Sequence, residues 1–562
     1  MASNKLGVDQ RSRGHSLFTQ QPPFFKGAAY SLNERQVLGL HGLLPPAVLT
    51  QSDQVQSVLT NLYALEDDLG RYNTLMSLQD RNEKLFYKTV RSNLEYLIPL
   101  IYTPTVGKAC LNYGMILRRP RGLYITINDK GHVRSILRNW PEKRVKAVVM
   151  TDGERILGLG DLGAQGMGIP IGKCALYTAL GGVDPRACLP LMIDVGTNNE
   201  SLLENEFYLG LRQKRIGTEQ YGPNVSIQFE DLANKNGFAF LERYGKDYIV
   251  FNDDIQGAAA VALAGLISST RITKTSLSDN KYLLYGAGAA GTGIANILVA
   301  AMKDEGASDA QARSRIYMMD SKGLLVKMPF VRDDVGHVER LSDAITQIRP
   351  SVLIGAAAVP GAFTRDILNM MATINKRPVI FALSNPTEKA ECTAEAAFNG
   401  SPFPEIRLPS GQEFYPSQGN NYYVFPGVAM AVTSAQIRPL TQDLFLAAAK
   451  ALAGLVTEED LAVGRTYPPV SKLPEVAHKI AVELVTRSFA NGTAQYQPEP
   501  ADKVEFIRSL TYDPSYADFT PDYYEWPSGG HELYWTNRIA SALVGISDEN
   551  IPRRIEESEI NV

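Results

Sequence analysis

One stretch restricts the fold more than any other. An apolar run, Lys281-Tyr282-Leu283-Leu284-Tyr285, stops at Gly286-Ala287-Gly288-Ala289-Ala290-Gly291, and a helical run from Thr292 to Lys303 follows at once. A second apolar run, Ile316-Tyr317-Met318-Met319, then closes on Asp320. Strand, glycine turn, helix, strand and acid in that order make the unit that seats a dinucleotide, with the pyrophosphate on the helix N-terminus and the acid near the adenosine ribose. Gly286, Gly288, Ala289, Ala290, Gly291 and Asp320 are therefore candidate cofactor contacts. Two further buried strands, Ser351 to Gly355 and Pro378 to Leu383, suit the carboxyl edge of a doubly wound sheet, and the second runs into Ser384-Asn385-Pro386-Thr387.

Upstream, two strand-like runs end abruptly in carboxylates. Val225 to Phe229 leads into Glu230-Asp231, and Tyr248 to Phe251 leads into Asn252-Asp253-Asp254-Ile255-Gln256-Gly257, then a helical Ala/Leu run. Neighbours within a strand face opposite ways, so Glu230 and Asp231 converge only if the strand stops there and the chain bends. Carboxylates gathered at a sheet mouth repel one another unless a cation neutralises them, and a hard, oxygen-ligated divalent ion does so directly.

A second glycine-dense stretch, Asp152 to Lys173, also contains GxGxxG by letter, at Gly158, Gly160 and Gly163. No long helix follows Gly163 directly. The stretch reads as a loop bringing Arg155 and Lys173 into one cleft, before a helix that starts around Pro170. Lys173 would then lie in a first helical turn, where the dipole favours its deprotonated form and so suits a general base, while nearby carboxylates oppose this.

Around these stretches, residues from Ser31 read as helices, with a capping box at Ser31-Leu32-Asn33-Glu34 and helical spacing over Asp53 to Asp68 and Ser77 to Ile98. From Gly122 strands such as Leu123 to Ile127 and Ala147 to Met150 alternate with helices, the signature of parallel α/β structure. With 562 residues, 44% of them apolar, the chain can bury several cores. Lys+Arg 56 against Asp+Glu 60 leaves a net charge of −4 and no basic run, which argues against nucleic acid and for small-molecule chemistry. The longest apolar run, Ala258 to Ser268, is too short for a membrane span. Cys110, Cys174, Cys188 and Cys392 are scattered, as reduced thiols are. The first 21 residues carry Lys5, Arg11 and Arg13 against Asp9 alone, a faint transit-peptide composition without an apolar secretory core. A cytoplasmic protein is expected, with the mitochondrion as alternative.

Five motifs carry a family resemblance: Tyr102-Thr103-Pro104-Thr105-Val106-Gly107, Thr151 to Asp161, Phe251 to Gly257, Leu383-Ser384-Asn385-Pro386-Thr387 and Gln418-Gly419-Asn420-Asn421. Together they resemble the malic enzymes, from about Ser31 to about Trp526. The resemblance implies oxidative decarboxylation of L-malate to pyruvate and CO2 with Mn or Mg and NADP or NAD, in a homodimer or homotetramer. It implies that Glu230, Asp231 and Asp254 are metal ligands, Lys173 the base, Asp253 its electrostatic partner and Tyr102 the acid. Arg155, Asn385, Asn420 and Asn421 would face the substrate, with Asn385 also beside the cofactor.

The fold expected is multidomain α/β: a helical N-terminal domain (1–120), a parallel α/β substrate and metal domain (121–252), a Rossmann-type doubly wound domain (253–420), a helical return (421–496) and an irregular C-terminal arm (497–562). Three segments are shorter than the family pattern, at Tyr221 to Asn224, Lys327 to Phe330 and Phe398 to Phe403. Asp320 favours NAD, whereas Ser321 and Lys322 beside it can receive a 2′-phosphate, and NADP is the expectation. A malolactic-type reaction yielding lactate and an inactive nucleotide-binding protein are the alternatives.

Overall fold

The computed structural model describes residues 21–215, 226–232, 234–324, 338–398, 406–407, 413–414 and 417–517. Its residues divide into two compact units, one from the chain up to Ile101 with the segment from Asp513 on, the other Tyr102–Tyr512. All three shortened segments fall, wholly or beyond Phe398, outside the described residues.

The first unit is helical. Helices α1 (Leu32–Val37), α2 (Gln51–Ala64), α3 (Asp68–Arg81), α4 (Glu83–Ser92) and α5 (Leu94–Ile101) follow one another. The expected capping box is present, Ser31 accepting from the Glu34 N–H while Glu34 reaches back to the Ser31 N–H. The single helix expected over Ser77 to Ile98 is instead three pieces. Asn82 and Asn93 leave the helical backbone, and Asn82 caps α4 by accepting from the Leu85 N–H. Short polar side chains compete with the helical ladder in this way, and apolar periodicity does not register it.

In the second unit, helix α6 (Thr105–Leu111) precedes β1 (Leu123–Thr126) and β2 (Ala147–Thr151). Then come α7 (Gly168–Ala179), β3 (Cys188–Asp194), β4 (Ser226–Phe229) and β5 (Val250–Asn252). These strands form one parallel sheet in the order β1-β3-β2-β4-β5. The interior strand β3 escapes a sequence reading because it contains Pro190, which signals an edge or a break. Pro190 pairs with Val149 on one side, while β1 begins only opposite Leu191 on the other, so a missing N–H is tolerated there.

Helix α8 (Ala258–Thr273) leads into the second sheet, made by β6 (Tyr282–Tyr285), β7 (Ile316–Asp320), β8 (Gly323–Leu324), β9 (Val352–Gly355) and β10 (Val379–Ala382), with α9 (Ala289–Asp304) after β6. The order is β10-β9-β6-β7-β8, parallel except for the β7–β8 hairpin. Helices α10 (Phe425–Ala435), α11 (Gln442–Gly454) and α12 (Leu473–Ala490) complete the unit. Asp253–Thr273 is long and apolar enough to cross a membrane by composition alone, yet it packs against α9 and α11 and is largely buried, as a core helix of that composition is.

The two sheets meet through a close backbone contact. A Cβ on Gly293 of α9 would stand 2.2 Å from the Ile255 carbonyl oxygen, so the helix of the second sheet lies directly on the turn that follows β5. Gly293→Val is expected to destabilise the protein by about 1–3 kcal/mol, the usual cost of overpacking. Thermal unfolding of the variant measures it; an unchanged midpoint would mean that this seam is not close-packed.

Candidate active site

Register builds the site. Phe229 of β4 stands opposite Asn252 of β5, so the residues leaving the two strands, Glu230-Asp231 and Asp253-Asp254, emerge side by side. Asp231 takes a left-handed backbone (φ 49°), the bend that lets two adjacent carboxylates converge. Asp253–Gly257 forms a π-type turn, capped by Asn252 accepting from the Ile255 N–H. Asp254 Oδ2 accepts from the Asp231 N–H at 2.8 Å, tying the two strand ends together.

Glu230, Asp231 and Asp254 each bring a carboxylate oxygen within 4.8 Å of the others. Burial raises all three carboxyls: Asp254 to about 6, Glu230 and Asp231 well above the usual range against the opposing pull of Lys173. Asp231 Oδ2 is buried and has no hydrogen-bond partner. An all-oxygen donor set, a buried orphan oxygen and mutual repulsion fit a hard divalent cation.

Lys173 lies on the cluster's other side, 1% exposed. Its ammonium pairs with Glu230 Oε2 at 2.7 Å and with Asp253 Oδ2, and stands 4.5 Å above the Phe425 ring. Helix α7 begins at Gly168, directly after a 3-10 turn from Gly163, so Lys173 sits in its second turn rather than the first. The dipole effect fades within one turn, and the carboxylates prevail. Burial alone would depress the ammonium, but Asp253 and Glu230, with Tyr102 and Asp254, hold it well above its usual value.

Other expected residues fall in or beside the same cleft. It is lined by Tyr102, Arg155, Lys173, Glu230, Asp231, Asp254, Gly288, Ala289, Ala290, Asn385, Asn420 and Asn421. Burial, foremost, keeps the Tyr102 phenol protonated, its pKa well above the ordinary value. Arg155 comes from the Asp152 to Asp161 loop, whose backbone is pinned by Arg155 N–H to the Asp231 carbonyl and Gly158 N–H to the Asn385 carbonyl. Asn421 donates to Asp253 Oδ2 at 2.9 Å, and Asn420 donates to Thr103 Oγ1 at 3.2 Å while accepting from the Tyr422 N–H. Both asparagine amides thus brace the site, a role that their spacing alone does not reveal.

At the glycine turn, a Cβ on Gly291 would lie 1.9 Å from the Gly286 carbonyl oxygen, so strand and helix approach as closely as the motif demands. The Gly286 N–H donates to the Met319 carbonyl, which brings Asp320 beside the turn. Asp320 Oδ1 accepts from the Lys322 N–H at 2.7 Å, and the side chains of Ser321 and Lys322 are exposed outside the cleft lining.

Sequence reasoning assigned no role to three buried residues here. Gln228 and Tyr177 form a chain to Glu230, and Glu391 binds the Ala357 N–H and the Ser384 hydroxyl, joining the loops after β9 and β10. The available signal was polarity inside an apolar strand at Gln228. Nothing local distinguishes the other two.

Residues 79–245 match the family described as malic enzyme, N-terminal domain, and residues 255–489 the malic enzyme, NAD binding domain. The chain is 52% identical over 541 residues to the NADP-dependent malic enzyme of Columba livia, covering 90% of this chain and 97% of that one. It is 47% identical over 553 residues to the mitochondrial NADP-dependent malic enzyme of Homo sapiens, covering 92% of this chain and 91% of the relative. With the mitochondrial NAD-dependent malic enzyme of Ascaris suum it shares 49% over 556 residues, covering 92% and 86%. The crystal structure of Entamoeba histolytica malic enzyme superimposes with a TM-score of 0.51 at 19% identity, over 83% of this chain and 85% of that one, a likeness of fold.

One titration in the site is open to measurement. Asp152, which opens the Arg155 loop, is buried, and that burial outweighs the attraction of Arg215 and lifts its carboxyl from 3.8 to about 6. The folded protein therefore holds a proton between about pH 4 and 6 that the unfolded chain releases, so this group costs stability progressively as pH rises through that window. Asp152→Asn should gain stability relative to the unsubstituted protein over pH 4 to 6 and level off above. Unfolding midpoints across pH test this, and a constant difference would mean that Asp152 titrates normally.

Proposed function

The chain belongs to the malic enzyme family, and from that premise we propose how its cleft carries the reaction. It is a decarboxylating oxidoreductase that converts malate to pyruvate and CO2 with NAD(P). The observation that carries the residue assignments is the convergence, in one cleft, of three things. These are the carboxylate trio, the buried Lys173–Asp253 pair and the N-terminal end of the glycine-turn helix.

Glu230, Asp231 and Asp254 would hold a divalent ion, Mn or Mg, through oxygen. When bound, that ion would supply Lewis-acid stabilisation of negative charge on substrate oxygen, and a nicotinamide would supply the hydride acceptor. Arg155 grips a substrate carboxylate, for which a guanidinium offers a planar two-point contact. Asn385 and Asn421 add polar contacts without charge, and Asn420 holds the Thr103 side beside Tyr102.

Lys173 is placed to take the proton of the C2 hydroxyl. Held as an ammonium between Glu230 and Asp253, it must first release its own proton to solvent, a loss that a cation held by the neighbouring carboxylate trio would favour. Asp253, itself anchored by Asn421, keeps the amine aimed. Tyr102, protonated and buried, delivers a proton to C3 after CO2 leaves.

We read the preferred cofactor as NADP. Ser321 and Lys322 stand exposed beside Asp320, whose Oδ1 is already engaged by a backbone N–H, so a 2′-phosphate meets a hydroxyl and an ammonium there. Relatives named for NADP and for NAD are about equally similar, 52% and 49%. All four cysteines are free, in keeping with a reducing compartment, and we place the protein in the cytoplasm as a homodimer or homotetramer. The mitochondrial relatives make that organelle the second reading.

Two measurements test these assignments. Lys173→Ala should lower kcat for malate by about 10²- to 10⁴-fold, the usual worth of a positioned proton acceptor, and full turnover in that variant would remove Lys173 from the chemistry. Lys322→Ala should raise the KM for NADP about tenfold or more, as loss of a charge-assisted hydrogen bond does, and leave the KM for NAD unchanged. An equal change for both cofactors would take Lys322 out of 2′-phosphate recognition.

A further inference from the structure

Glu230 Oε2 accepts from two buried donors at once, Lys173 Nζ at 2.7 Å and Gln228 Nε2 at 2.9 Å. Gln228 is 1% exposed, an amide set into the apolar strand β4 beneath the carboxylate cluster. Its other end is held as well, since the Tyr177 hydroxyl donates to Gln228 Oε1. Tyr177 lies four residues beyond Lys173 on α7, on the same helical face and equally buried. One helix therefore grips Glu230 twice, directly through Lys173 and indirectly through Tyr177 and Gln228.

The directions of these hydrogen bonds are dictated. Glu230 Oε2 faces the Lys173 ammonium and so acts as an acceptor there, which makes the Gln228 amide turn its NH2 to Glu230 and its oxygen to Tyr177, and Tyr177 then donates. The opposite rotation would set the amide oxygen against Glu230 Oε2, and in the observed one the phenol supplies the donor that the amide oxygen needs. With Oε2 committed to Lys173 and Gln228, the carboxylate plane is fixed and Oε1 is the oxygen left for another partner.

We propose that Tyr177 and Gln228 are positioning residues that fix the rotation of the Glu230 carboxylate and thereby set the affinity of the site for a divalent ion. The inference rests on the reading of Glu230, Asp231 and Asp254 as metal ligands. If the pair did no more than satisfy buried polar groups, its loss would lower stability and leave ion binding alone.

The test is titration of the full-length protein with Mn2+ alone, without malate or dinucleotide, following free Mn2+ by electron paramagnetic resonance. Tyr177→Phe keeps the ring and removes one hydroxyl; it should weaken Mn2+ binding about tenfold, at the lower end of what loss of a partner behind a metal ligand costs. Gln228→Leu should weaken it at least as much, and the double variant no more than Gln228→Leu, because the phenol acts only through the amide. Tyr177→Phe decides the question even where Gln228→Leu does not fold. Mn2+ affinity within about twofold of the unsubstituted protein in Tyr177→Phe, alongside loss of binding in Asp254→Asn, would overturn the proposal. Unimpaired Mn2+ binding in Asp254→Asn would instead overturn the ligand assignment beneath it.

Discussion

The second unit is arranged around one energetic difficulty, the burial of Glu230, Asp231 and Asp253, with the half-buried Asp254 beside them, against Lys173, their one deeply buried cationic partner among the described residues. Charges out of water cost several kcal/mol each unless paired and hydrogen-bonded, so such a group persists only where the surroundings hold it in place. The surroundings do so at nearly every atom. Lys173 pairs two of the carboxylates, Asn421 and Gln228 supply further donors, and the Asp231 N–H caps Asp254. What remains is unpartnered buried oxygens on Asp231 and Asp253 and too few positive charges, a deficit that a cation at the Asp231 side would reduce.

Other features of the fold follow from holding that group. Parallel strands in register deliver both acidic pairs to one edge, the left-handed residue Asp231 bends the first pair inward, and the π-type turn shifts Asp253 and Asp254 relative to a regular helix start. Helix α7 is buried along its whole length, which suits a helix that must present Lys173 and Tyr177 far from water. The contact at Gly293 sets the dinucleotide helix against the same turn, so the two sheets share one cleft. A redox cofactor and its substrate need that proximity, because reacting groups gain most from being held in a near-attack arrangement.

Much of this was legible in the chain itself. The strand-turn-helix from Lys281, the paired acidic strand ends and the Ser31 capping box are local patterns with local causes, and the structure contains each of them. The misses also have local causes. Pro190 hid an interior strand, Asn82 and Asn93 cut a helix whose apolar spacing runs on unbroken, and α7 began earlier than Pro170 because the preceding 3-10 turn feeds into it. The bracing duties of Asn420, Asn421, Tyr177 and Glu391 involve partners far away in sequence, and no spacing rule reaches that far.

By itself the sequence determined the chemistry available: which residue types stand at strand ends, where a strand, a glycine turn and a helix follow one another, and where carboxylates gather. Those properties depend on neighbours within a few residues, where backbone periodicity and turn preference act. Only the tertiary structure decided the charge state of Lys173 and the facing of the Glu230 carboxylate. Both depend on the sum of burial and of partners drawn from α7, β4, the turn at Asp253 and the loop at Asn421, and that sum exists only once those elements are packed together.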